Sequence, residues 1–177
     1  QRVHRAAATL YKKGLDVTLI GRKKKDSAEI RRDYKTVRFK LMWEKGPMFY
    51  ASYNLRLFFY LLFRQPDVLV ANDLDALLPN YLISKIKSAE LYYDSHEYFT
   101  AVPELTDRPF VQKIWKRIEH FIFPKLKHVY TVNDSIAKLY QDEYKKDVAV
   151  IRNVPFAQKN FKKKTRAELN LPEEVKI

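Results

Sequence analysis

A chain of 177 residues with 46% hydrophobic and 14% aromatic side chains is too apolar to be intrinsically disordered and long enough for one domain with a real core. It contains no cysteine, which excludes disulfides, thiolate catalysis and cysteine-ligated zinc. Its 34 Lys and Arg against 21 Asp and Glu give +13 at pH 7, a balance that attracts phosphate on nucleotides, lipid headgroups or nucleic acid.

Residues 2–13 read as a helix: Val3, Ala6, Ala7 and Leu10 share a face, and Gly14 stands where a C′ glycine would. Asp16 to Ile20 is a β-branched strand closed by Gly21, and a Lys-rich loop follows. Residues 34–41 alternate as a second strand, Gly46-Pro47 is a break, and 49–64 form a helix apolar nearly all round, as expected of one packed on both sides. Pro66 ends it. A strand at 67–71, a helix at 75–87 and a strand at 89–94 come next. A loop with Pro103 and Pro109 leads to a helix over 110–122, then a strand at 127–132. Asn133-Asp134-Ser135 cap a helix running to Tyr144, and a last strand at 148–152 stops at Asn153-Val154-Pro155. Beyond it, Thr165 and Glu168 have the spacing of a capping box, and Val175-Lys176-Ile177 reads as the first residues of a strand.

Strand–helix alternation predicts an α/β fold: a Rossmann-like parallel sheet with right-handed crossovers and helices on both faces. Starting such a domain with a helix leads us to expect a strand before Gln1. Residues 1–155 are then one domain, and 156–177 a linker and the start of a second. The only glycines are Gly14, Gly21 and Gly46, so neither a dinucleotide fingerprint nor a P-loop can be written. The longest apolar stretch, Met48 to Phe63, includes Asn54 and Arg56 and falls short of the roughly 20 residues of a membrane-spanning helix.

Two strand ends stand out. Leu91-Tyr92-Tyr93 stops at Asp94-Ser95-His96-Glu97, and the strand at 67–71 stops at Asn72-Asp73-Leu74-Asp75. Polar clusters at the carboxyl ends of parallel strands are where open α/β sheets build their sites. Positive charge is also clustered. Residues 22–40 carry nine basic and three acidic side chains, and 108–127 six and one. Each cluster reads either as a phosphate-attracting patch or as a solvated surface.

The ordered series QRVHRAAATL with GLDVTLI, VANDLDALLP, YYDSHEYFT, HVYTVNDSIAKLY and VIRNVP resembles the N-terminal domain of bacterial group 1 (family 4) glycosyltransferases over about residues 1–155. The resemblance implies one half of a GT-B fold, two Rossmann-like domains facing across a cleft. The N-terminal domain is the acceptor side, and the C-terminal domain holds the nucleotide-sugar donor. The first strand and the donor domain, with the family's paired glutamates, have no counterpart among these residues. An isolated N-terminal domain is therefore expected to be inactive.

The family's cleft histidine falls on His96, which can hydrogen-bond sugar hydroxyls or handle the acceptor proton. Asp94 and Glu97 flank it; either can orient the imidazole, or simply hydrogen-bond the loop. Asp73 can bind acceptor hydroxyls, and Asp75 reads better as a helix cap. Arg2 and Arg5, on the first turns of the first helix, can face a phosphate or lie on the surface. His4, His120 and His128 are read as structural, and Asn153 as a turn before Pro155. The Asp73-x-Asp75 and Asp94-x-His96 spacings are compatible with a metal, but the resemblance implies catalysis without one, and no cofactor bound by this domain alone.

The expected reaction moves a hexose from a nucleotide sugar to a glycan or lipid-linked acceptor. The partners are those two substrates and a C-terminal domain, with no nucleic acid. The location is cytoplasmic. The basic, aromatic segment 108–127, with Trp115, Phe121 and Phe123, reads either as an anionic-membrane face, which places the protein peripherally on the inner side of the plasma membrane, or as core at Ile114, Ile118 and Phe121. Two alternatives are a nucleotide-sugar epimerase of the same fold and a non-enzymatic basic module binding nucleic acid or anionic membrane.

Overall fold

The structure, a computed structural model, describes residues 2–102, 105, 108–154, 165–169 and 172. Helix α1 (Arg2–Lys12) buries Ala7 and ends where Gly14 adopts φ 86°, a left-handed turn that closes the helix with Leu15 N–H donating to the Leu10 carbonyl. Strand β1 (Thr18–Lys23) pairs in parallel with β2 (Lys35–Lys40). It runs through Gly21, which lies opposite Arg38, instead of stopping there. A ladder is made by backbone groups, which glycine carries like any residue, so pairing with β2 overrides the local break.

Helix α2 (Gly46–Leu62) starts on Gly46-Pro47. The expected break is thus a helix start, because a first-turn proline forfeits only an N–H that would have no intrahelical partner. Leu57 and Leu61 are buried, but Leu55 and Phe59 on the opposite side are about half exposed. The expectation that this helix is covered on both sides does not hold among the described residues.

Strand β3 (Val68–Asn72) leads through a 3-10 turn, Leu74–Ala76, into α3 (Leu77–Lys87). Strand β4 (Glu90–Ser95) precedes α4 (Pro109–Ile122), then come β5 (His128–Thr131), α5 (Asp134–Tyr144) and the two-residue β6 (Ala149–Val150). Asn133 caps α5 as expected, its side chain accepting from the Ile136 N–H at 2.9 Å. The Thr165–Glu168 box is also present, with Glu168 N–H donating to Thr165 Oγ1 at 3.3 Å, but it opens only a short 3-10 turn, Ala167–Leu169. Val175–Ile177 lie outside the described residues.

All strand pairs are parallel, and the strands form two sheets, β1-β2 and β3-β4-β5-β6. β1 and β3 are not bonded to one another. A cavity of about 1550 Å3 lies between them, lined by Val17 and Leu19 on one side and Val68 and Val70 on the other, with Val3, Ala7 and Leu57 contributing. The main core lies under α2, α3 and α4, where Leu61, Leu69, Leu77, Ile83, Tyr93, Ile122 and Phe123 belong to one buried cluster. Apolar burial of this kind is the dominant stabilising term.

Candidate active site

β3 and β4 are neighbours with Asn72 opposite Asp94, so the two polar strand ends meet at one edge of the sheet. His96 stands between two carboxylates. Its Nε2 lies 3.1 Å from Asp94 Oδ2, its Nδ1 lies 3.2 Å from Asp73 Oδ2, and its backbone N–H donates to Asp73 Oδ1 at 2.8 Å. Hydrogen bonds to Asp73 and Asp94, outweighing burial, hold the imidazole pKa up to about 9. At neutral pH the ring is an imidazolium with both N–H groups donating.

Asp94 is buried and is also gripped by Arg2, whose Nη2 and Nε donate to its two oxygens at 2.8 and 3.2 Å. Two parallel N–H···O bonds from one guanidinium form the strongest geometry available to a carboxylate. Arg2 Nη1 donates to the Ile151 carbonyl at 2.9 Å, and its guanidinium lies 5.7 Å from the Tyr130 ring centre. Arg5 Nη1 donates to the Val154 carbonyl at 2.8 Å, and Nη2 to Asn153 Oδ1. Arg2 and Arg5, read as facing a phosphate or lying on the surface, both make internal contacts in this structure: they tie α1 to the exit of β6, and Arg2 pairs with Asp94. Asn153, expected in a turn, is the acceptor for Arg5.

Asp73 has φ 63° and ψ 169°, a region populated almost only by glycine. Its N–H donates to the Asp94 carbonyl at 2.9 Å while its side chain holds His96. These bonds fix the backbone of a non-glycine residue in a conformation that costs on the order of 1–3 kcal/mol. Asp75 sits in the following 3-10 turn, where burial first, and then the Asp73 charge, raise its pKa to about 6. The cap role expected of Asp75 is not what the structure shows: Ala76 occupies the N-cap position of α3, and no side chain caps either the 3-10 turn or α3. Tyr53 beside it is pushed up to about 12 by burial and by the Asp75 charge. Glu97 is exposed; its backbone carbonyl accepts from Ser95 Oγ at 2.8 Å, and Asp73 and Asp94 occupy the two ring nitrogens of His96.

The loop carrying His96 is supported from below. Ser95 Oγ is 2.8 Å from Tyr140 Oη, and Thr131 Oγ1 donates to the Ser95 carbonyl at 2.7 Å. Tyr140 reaches Glu119 Oε1 at 3.4 Å, and Tyr144 donates to Glu119 Oε2 at 3.1 Å. Glu119 is fully buried, and that burial raises its pKa to about 7 despite these hydroxyls. Sequence reasoning missed this network. Its signal was a single carboxylate on the same helical face as Trp115 and Ile122.

The remaining histidines make local contacts away from this cluster. His4 Nδ1 meets Tyr34 Oη at 2.8 Å, His128 stacks on Tyr92, and His120 lies 3.4 Å from Glu143. Among the described residues no group of three His, Asp or Glu side chains is placed to hold a metal ion.

A parallel α/β domain with an ionised His–Asp cluster at the carboxyl ends of its strands is the architecture of a domain that handles small polar substrates in a cleft. The sequence profile of Glycosyltransferase Family 4 matches residues 1–154, and the chain belongs to that family. It is a Rossmann-like N-terminal domain of a group 1 glycosyltransferase, so its substrates are a sugar donor and an acceptor. No curated protein matches the chain.

Proposed function

We propose that this domain is the acceptor-side half of an enzyme that transfers a hexose from a nucleotide sugar to a hydroxyl of a glycan or lipid-linked glycan. A second domain holds most of the donor, and the domain alone gives no turnover. One observation carries the reading: the His96 ring is fixed between the carboxylates of Asp73 and Asp94 at the carboxyl ends of β3 and β4. With both nitrogens donating, His96 is not a general base. It holds Asp73, which is one quarter exposed and keeps lone pairs for a sugar hydroxyl. Asp75 lines the same cavity as Asp73 and, with burial raising its pKa to about 6, is our candidate to accept the proton of the attacking hydroxyl. Carboxylates around a developing oxocarbenium ion also stabilise its positive charge, and this step requires no metal.

In the full-length enzyme, His96→Ala is expected to lower transfer on the order of 100-fold because Asp73 loses its positioning partner, with the protein still folded and its thermal transition only modestly lowered. Unchanged turnover would remove His96 from the site. Release of a free epimerised sugar in place of a glycoside would replace transfer with epimerisation.

A further inference from the structure

Helices α2, α3 and α4 pack side by side: α2 contacts α3, and Tyr81 of α3 meets Phe121 of α4 edge-on with ring centres 6.2 Å apart. Each turns one stripe to the core and the opposite stripe to solvent. On α4 the outer stripe is Phe110, Lys113, Ile114, Arg117 and Phe121, all exposed, with Phe110 at 76% and Phe121 at 57%. These positions recur at helical spacing, diametrically opposite buried Trp115, Glu119 and Ile122. On α3 the outer stripe is Leu82, Lys85 and Ile86, and on α2 it includes Leu55 and Phe59. The only carboxylate on the three helices is Glu119, which is fully buried. The solvent side of this layer is therefore apolar and cationic, with no acidic side chain of its own.

We infer that this outer face of α2, α3 and α4 docks on an anionic lipid bilayer. An apolar stripe flanked by Lys and Arg satisfies both requirements of interfacial binding. Phe and Leu side chains enter the acyl boundary, and the cations lie at the level of the phosphates. Lys125, whose ammonium sits 3.2 Å from the centre of the Phe121 ring, has its cation beside an aromatic that would insert. Charge complementarity selects this occupant. A face with cations and no anions repels a second copy of itself, and a nucleic acid would leave the exposed aliphatic Leu55, Leu82, Ile86 and Ile114 between the cations without a partner, whereas acyl chains cover them. No helix among the described residues is long and apolar enough to cross a membrane, so the contact is peripheral. The inference stands apart from the transfer reaction, since it uses none of the residues at the His96 cluster.

The test is co-sedimentation of this chain with phosphatidylcholine vesicles made with and without phosphatidylglycerol. Binding to the anionic vesicles alone, weakened by salt, is expected. Lys113→Glu with Arg117→Glu is expected to weaken it at least about tenfold. Phe110→Ser with Phe121→Ser, both at exposed positions, is expected to weaken it several-fold while circular dichroism and the melting temperature stay as in the parent. Equal binding to both vesicle types, or to neither, overturns the inference. So does a concentration-dependent dimer in sedimentation equilibrium that the Phe→Ser pair dissolves, or salt-sensitive binding of single- or double-stranded DNA stronger than the vesicle binding.

Discussion

Titration of the four histidines separates a clamped His96 from a solvated one. Raising its pKa from 6.5 to about 9 corresponds to about 3 kcal/mol at full strength. With a quarter of the side chain in water, about half of that survives solvent screening. The folded chain keeps a proton that the unfolded chain releases between pH 6.5 and about 9. The stabilisation is therefore fully present below pH 6.5 and is lost as the pH rises through about 9. Two measurements check this. Proton NMR of the ring resonances should find His96 the highest-titrating histidine and His4, whose pKa is lowered by burial and by Arg32, below the ordinary value. Urea unfolding of the parent and of His96→Gln, compared across the same pH window, should show a parent-specific loss of about 1–2 kcal/mol on the alkaline side. A His96 resonance that titrates at or below 6.5 would refute the reasoning, because neither carboxylate could then be holding the ring.

Glu119→Gln should remove a second pH dependence. The folded chain holds the Glu119 proton up to about pH 7 while the unfolded chain loses it near 4.5, so parental stability falls as pH rises through that window, by about 3 kcal/mol, and the variant should lack this fall in urea titrations. Asp73→Gly and Asp73→Ala both remove the clamp and should lower the His96 pKa. Because only glycine relaxes at φ 63°, the Gly variant should be the more stable of the two by about 1–2 kcal/mol in chemical denaturation. Arg2→Met leaves Asp94 buried without its guanidinium and should destabilise by about 3 kcal/mol, and adding Asp94→Asn should recover part of that; no recovery would mean that Arg2 acts through packing alone.

Much of the fold is legible along the chain. Prolines at 66 and 109, Gly14 and the Asn133 cap mark element ends through local backbone chemistry, and the alternation of strand and helix dictates parallel pairing whatever the neighbours are. Two boundaries resisted for opposite reasons. Gly21 reads as a stop but is carried through by β2, and Gly46-Pro47 reads as a break ahead of the helix but is its first turn. The even apolarity of α2 hides which side meets the core, since periodicity carries no information when nearly every position is apolar.

At the site, the sequence by itself determined the residue types and the strand end: His96 between carboxylates, with Asp73 on the strand before. Only tertiary structure decided the partners. β3 lies beside β4, and that places Asp73, 23 positions earlier in the chain, on His96 Nδ1 and turns a candidate base into a cation. Arg2 is 92 positions from Asp94, so its pairing with that carboxylate, in place of a phosphate, depends on α1 packing near the ends of β4 and β6. Glu119 likewise reaches the His96 loop through Tyr140, across two helices. Local chemistry writes which groups are present; distances between elements decide what each group touches, and so its charge.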